Sequence, residues 1–499
     1  MEIVVRYSDF GAVGDGVVND FSAIKAAHDY ANEKKLAVEG TPGKTYRLGD
    51  NGTESIIIKT DTLWAGCAFI LDDSEIMPDD PCRVVDMFRV APDKARVNVE
   101  GVTSLKKGDT NIGVALGFPA LVHVVNENKR RYIRSGLNED KGDAQREILL
   151  VDAEGNIDPS TPLCWDYDEI TKIFAVPVDE EPVIINGGNF TRLANHAPNQ
   201  YTYYSRGINV TRCNVKIMNI THKMEGLGAT RAPYQGFITI NNVNNFTIEN
   251  AVFNAHVHYY KDQDGKKNLL GSYEINFTTS NNVLCKNCYQ PNMYEPDGAT
   301  VAFKGEMGSN YCRNLTFDGC RLSSFDSHKG SGNINILNSD VEHINCIGAG
   351  TVRIENTIIH LDNMPQIMTL RGDYGCIWMG DAYFKNVTLV GSAKTLEYSL
   401  MGGYGAWENY DFGYETCMPH TVRISDLRTT GGSPVYLYRT YINKYGDVSE
   451  RTLPDGTPNK NPYKPTERVI IESNKYGTEI IINDTPLFKR TELIYEYEA

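Results

Sequence analysis

The chain has 499 residues and a formal net charge of −15, with 64 Asp and Glu against 49 Lys and Arg. So acidic a balance argues against nucleic acid or an anionic membrane surface as partner. More weakly, it argues against a long polyuronate, which would need a local basic groove or bridging cations. There is no run of about 18 apolar residues, so no membrane-spanning helix is expected.

Met1 to Arg6 places charge inside its short apolar run and does not read as a signal peptide. A cytoplasmic location is expected for the chain as given, and a secreted one if a leader has been removed. Asp9 to Asp20 follows, with Gly11, Gly14 and Gly16 free to turn tightly. Asn19 or Asp20 is placed to cap a helix over Phe21–Lys35, whose apolar stripe is read as Ile24, Ala27, Tyr30 and Ala31.

Asp9 to Asp20, together with Ala23-Ile24-Lys25-Ala26-Ala27, resembles the N-terminal entry of the pectin lyase-like superfamily, which includes pectate lyase-like and polygalacturonase-like carbohydrate-active proteins. The resemblance implies an all-β fold, a right-handed parallel β-helix (a solenoid), with an N-terminal helix capping its open end. It covers about residues 7–36 closely and 186–400 diffusely. The N-x-D, D-D, G-H-G and R-x-K set of polygalacturonases is absent. Lys304 and Arg321 are available as lyase bases, but no dense Asp cluster stands beside them. Catalytic residues are therefore not carried over from the family, because one fold hosts many functions.

In chain order, residues 1–104 read as the cap and first coils. Residues 105–185 break the rhythm and read as an inserted small β subdomain, antiparallel by its hairpin-like turns. Its basic stretch, Lys129 to Arg134, is a solvated strand edge or a contact to substrate or partner. Residues 186–400 are the main coils, and 401–499 the last coils and a C-terminal β tail.

The main coils repeat a pattern, Asn-apolar-x-apolar-x-Asn/Gly. Copies begin at Asn214, Asn245, Asn282, Asn314 and Asn333, spaced by 31, 37, 32 and 19 residues. Thr351 starts a further copy and Asn386 a later one. Period-2 strands closed by turn residues at irregular spacing suit coils with loops of varying length. Asn tolerates the left-handed conformation and can stack in ladders along the coil axis. The sequons at Asn209, Asn219, Asn245 and Asn314 are read as this turn grammar. The eleven cysteines are read as reduced thiols, and Cys285 and Cys288 as core filling on strand positions.

Indexing the coils on their first Asn brings Glu274 and Glu306 to matching positions, then Phe325 with Asp326 beside it, and Glu342/His343 in the next coil, so that one column is expected to carry Glu274, Glu306, Asp326 and Glu342/His343. With coils about 4.8 Å apart, neighbouring carboxylates would stand roughly 5 Å apart and alternate ones nearly 10 Å apart. These distances bracket those of retaining and inverting glycosidases, about 5–5.5 Å and 6.5–9.5 Å. The expected catalytic set is Glu274, Glu306 and Asp326, with His328 assisting from the same strand face. Expected substrate contacts are His222, Glu225, Lys304, Arg371, Asp373, Tyr273 and Trp378. Further aromatic candidates are Tyr259, Tyr260, Tyr294 and Tyr374, since aromatic rings stack on sugar C–H faces. No metal site is expected: His256 and His258 have ligand-like spacing but no third partner.

These readings converge on a carbohydrate-active enzyme, a glycoside hydrolase of two-carboxylate type. The alternatives are a polysaccharide lyase or uronate epimerase, or a non-catalytic, phage-tail-like glycan-binding spike. No cofactor is expected, with calcium reserved for the lyase alternative. The partner is a carbohydrate, and a dimer or trimer is compatible with each reading.

Overall fold

The computed structural model describes residues 3–134, 141–197, 203–226, 232–254, 259–263, 266–270, 272–290, 306–361, 365–391, 397–403, 411–439, 457, 460–461 and 463–497. Side chains at 254, 259–263, 266–270, 306 and 486 are not described. Lys304, Tyr294, His256 and His258 lie outside the described residues. The chain forms two compact units: Met1–Val97 with Val176–Gly308 and Arg321–Ser324, and Asn98–Ala175 with Ser309–Cys320 and Phe325–Ala499.

In the first unit the strands pair in parallel, coil on coil. Ile185 pairs with Ile217, Ile217 with Ile248 and Ile248 with Cys285, all buried. A second series runs Ile56, Phe88, Ile208, Ile238, Ile275. Like residues stack on like because each strand hydrogen-bonds the equivalent strand of the next coil, so side chains at one register share one face. Cys285 therefore sits in an isoleucine column, and Cys288 is buried nearby. Between these walls the rings of Phe69 and Phe190 stack at 4.7 Å, and Phe237 packs on Phe190 at 5.1 Å.

The helix Phe21–Lys34 buries Phe21, Ile24, Ala27, His28 and Ala31. Tyr30, read as part of this stripe, is 44 % exposed instead and lies against Phe10. The i, i+3, i+4, i+7 set starting at Ile24 runs through His28, not Tyr30. His28 enters the core because Tyr7 Oη lies 2.9 Å from its Nε2. Burial pushes its pKa down to about 3.

The second unit repeats the scheme. Leu315, Ile334, Val352, Ala382, Val422, Val469 and Leu493 pair in succession. Strands Asp340–Asn345, Gln366–Thr369, Tyr398–Gly402, Val435–Tyr438 and Ile480–Ile481 follow one another in a second wall. The strands Ala120–Arg131 and Asp143–Val151 pair antiparallel, Val122 opposite Leu149, over a core that includes Leu105, Ile112 and Tyr167. Arg313 joins this sheet to the coils: its Nη2 donates to Glu147 at 2.7 Å, and Glu147 also accepts from the backbone N–H groups of Cys164 and Trp165.

The turns carry the repeat. Asn214, Asn219, Asn245, Asn250, Asn282, Asn287, Asn314, Asn333, Asn338, Asn356 and Asn386 all have φ between 50° and 63°. Asn219 Nδ2 donates to Asn186, Asn250 to Asn219 and Asn287 to Asn250, at 2.8, 3.2 and 3.3 Å. Asn386 donates to Asn356, which itself donates to Asn338. Asn386 thus closes a strand; it does not open a coil as the repeat count had it.

Asn250→Val should lower stability by about 1–2 kcal/mol, the cost of a left-handed backbone for a residue with Cβ branching. Asn250→Gly should recover most of that loss. Urea unfolding of the two variants checks the difference.

Candidate functional site

The second unit gathers a polar cluster along one wall, in which Asp326, Asn345, Arg371 and Tyr374 are buried and His328 and Asp373 partly exposed. On the segment Phe325–Lys329, Phe325 is buried against Phe317, and Ser327 Oγ donates to the Ile347 carbonyl. Strand alternation then turns Asp326 and His328 to the opposite face. Asp326 Oδ1 accepts from Asn345 Nδ2 at 2.9 Å, across from the strand Asp340–Asn345. Beyond the strand Gln366–Thr369 the chain passes Arg371 into a short 3₁₀ turn, Gly372–Tyr374. Gly375 ends the turn at φ 85°, where a Cβ would come within 2.7 Å of Thr416.

This turn delivers three groups to His328. Tyr374 Oη lies 2.8 Å from His328 Nε2. Arg371 donates to both carboxylate oxygens of Asp373, at 3.1 and 2.7 Å. Arg134, just past the strand Ala120–Arg131, donates its Nε to Asp373 at 2.6 Å. The guanidiniums of Arg134 and Arg371 lie 5.6 and 4.9 Å from the Tyr374 ring centre. Next to His328, Lys329 reaches both oxygens of Asp143 at 3.1 and 3.2 Å.

Burial lowers the His328 pKa below its ordinary value. The charges of Arg371, Lys329 and Arg134 act the same way, and Asp326 opposes them. His328 is therefore a neutral imidazole at pH 7, able to accept a proton. His343 is lowered as well, chiefly by burial. Burial pushes Tyr374 up to about 12, so it keeps its proton. The arrangement offers a carboxylate, a neutral base and a hydroxyl donor, flanked by cations.

The other expected site residues are placed differently. Glu274 is 1 % exposed, with Oε2 3.3 Å from His222 Nδ1. Alternation from Ile275 would put Glu274 outside. At this corner, however, both it and its neighbour Phe237 face the interior, and Phe237 stacks on His222 at 4.0 Å. Glu274 and His222 thus form a buried pair rather than a groove-lining one. Trp378 is also buried, donating Nε1 to the Gly350 carbonyl, and offers no face to a sugar. Glu225 is exposed and paired with Lys223. Tyr273 is half-buried, 6.5 Å from the ring of Tyr203. The backbone of Glu306 opens the strand Glu306–Asn310. Asp326, His328, Arg371 and Asp373 are the four that the structure brings together.

Arg134 was legible only as one cation in a basic run, and Asn345 carried no signal. Tyr374 was one aromatic among twenty-nine tyrosines. Only the 3₁₀ turn brings it to His328.

No known family model matches the chain. The KL64-specific capsule depolymerase of Klebsiella phage P510 is 26 % identical over 145 residues, which are 27 % of this chain and 13 % of that protein. The tailspike gp61 of Pseudomonas phage phi297 superposes with a TM-score of 0.54 at 10 % identity, over 98 % of this chain and 83 % of its own. The tailspike gp49 of Pseudomonas phage LKA1 gives 0.51 at 12 % identity, over 96 % and 83 %. The fold is a right-handed parallel β-helix. That is the architecture the N-terminal resemblance implied.

The buried pair has a measurable signature. His222 is held well below its ordinary pKa, first by burial and then by the charge of Arg192. The unfolded chain therefore binds this proton more readily. The stability contribution is complete above about pH 6.5 and is lost as pH falls below it, by about 1.4 kcal/mol per pH unit. Melting temperatures from pH 7 to 4.5 should show this slope, and His222→Gln should flatten it by one proton.

Proposed function

We propose that this chain is a polysaccharide-depolymerising module that recognises a capsular-type glycan and cleaves it at the Asp326–His328 cluster. The observation that carries the reading is the convergence of Asp326, His328, Arg371, Asp373 and Tyr374, with His328 and Asp373 partly exposed and the other three buried. The likeness to a capsule depolymerase and the shared fold with phage tailspikes support it.

The reaction proposed first is glycoside hydrolysis. Asp326 and Asp373 are the two carboxylates of the cluster. One would protonate the glycosidic oxygen while the other activates water or attacks the anomeric carbon. Arg134 and Arg371 hold Asp373 in place, and His328 and Tyr374 orient the sugar hydroxyls.

One observation favours eliminative cleavage as a second reading: the neutral His328 beside the Tyr374 hydroxyl. There His328 would take the C5 proton of a uronate. The C4–O bond would break as C4=C5 forms, and Tyr374 would give its proton to the leaving oxygen. The product alone separates the two reactions. Hydrolysis gives saturated ends, and elimination gives an ultraviolet-absorbing unsaturated end.

Purified bacterial capsular polysaccharides, assayed for new reducing ends, provide the test. Asp326→Asn should lower turnover by about 10²–10⁴-fold while leaving glycan binding in place. Unchanged turnover in both Asp326→Asn and His328→Ala would remove the site from the mechanism.

A further inference from the structure

We infer that the glycan unit seated at this cluster carries a carboxylate, and that Arg134, supplied from the end of the inserted antiparallel sheet, is the residue that selects for it. The inference rests on the cluster being the glycan site.

Two guanidiniums share one carboxylate here. Arg371 uses Nε and Nη2 on Asp373, and Arg134 adds its Nε to the same group. Arg134 thus meets Asp373 with its inner nitrogen only. Among the described residues, its two terminal nitrogens have no acceptor within hydrogen-bond distance. They form the fork that suits a carboxylate. Its side chain is 28 % exposed, against 10 % for Arg371 and 15 % for Asp373, so it is the open edge of the group. Lys329, one residue from His328, adds a further cation at 25 % exposure, shared with Asp143.

Asp373, Asp326 and Asp143 match these three cations in number, so what distinguishes Arg134 is its reach and not a net positive charge. A chain with a net charge of −15 repels anionic glycans at long range. Drawing an anionic sugar in against that field requires a local cation that the sugar can reach, and Arg134 over the Tyr374 ring is such a point. Arg134 is also held from behind. Arg131 is stacked 3.8 Å from the Trp165 ring, and the backbone N–H of Ile133 donates to Tyr414 Oη at 3.0 Å. Arg134 thus follows a segment anchored by Arg131 and Ile133, and its own Nε is held by Asp373.

The test uses the full chain in an Asp326→Asn background, so that glycan is not consumed. An array of acidic and neutral bacterial polysaccharides identifies the strongest binder, and calorimetry compares it with its carboxyl-reduced derivative. The expected result is an acidic binder whose affinity falls at least tenfold on carboxyl reduction, and by a similar factor in Arg134→Ala. Arg134→Lys should recover part of it. Asp373→Asn releases both guanidiniums and should bind the acidic glycan at least as tightly. Equal losses in Arg134→Ala and Asp373→Asn would show that the ion pair only holds the turn, and would overturn the inference. Binding that is indifferent to carboxyl reduction would overturn it too, with the functional proposal intact. Binding to no polysaccharide at all would remove the proposal on which it rests.

Discussion

A parallel coil must leave its strand by a sharp turn, and it must do so at the same height in every coil. Asparagine meets both demands. Its backbone accepts φ near +55° at low cost, and its side chain carries a donor and an acceptor. At Asn219, Asn250 and Asn287 the amide of one coil donates to the amide of the coil before it. The turn and the inter-coil contact are one chemical group, so register is fixed at the corner and carried into the strands. The isoleucine and phenylalanine columns then follow, because strands starting at the same height place equivalent side chains on the same face.

This is also why the fold was legible. Asn-apolar-x-apolar-x-Asn states the turn, the period-2 strand and the next turn within six residues. Coil spacing from 19 to 37 residues did not hide it, since loop length changes nothing at the corner. Inferring the cluster from the same index was harder. Asp326 and His328 could be read as sharing a face because two residues on one strand need only alternation. Glu274 failed that reading. It stands at the first positions of its strand, where Phe237 turns inward and the alternation counted from Ile275 no longer holds. An index counted from a distant Asn cannot see a corner that rotates one side chain.

The second part that the sequence hid is the contribution of the inserted sheet. Arg134 and Asp373 are 239 residues apart, yet they meet at 2.6 Å. Neither lies in a repeat, and Asp373 sits in a 3₁₀ turn between strands. Long-range docking of this kind depends on side chains such as Arg313 on Glu147, where burial and pairing must be solved together. Local pattern holds no record of such a choice.

The burial of Glu274 and Trp378 bears on mechanism as well as on prediction. Two groups that resembled a catalytic acid and a sugar platform instead stabilise the interior, Glu274 through His222 and Trp378 through the Gly350 carbonyl. What remains at the cluster matches three carboxylates, Asp143, Asp326 and Asp373, with three cations, Arg134, Arg371 and Lys329. Asp326 and Asp373 stand among Arg134, Arg371 and Lys329, and burial first, with help from those cations against the charge of Asp326, keeps His328 neutral. A neutral imidazole beside a phenol accepts a proton at pH 7, whereas an imidazolium would not. The same cations that lower the histidine pKa would attract an anionic sugar to it. Under the proposed function, charge that would recruit substrate and part of what sets the base come from one group of side chains, so selectivity and acid–base chemistry at the cluster would change together.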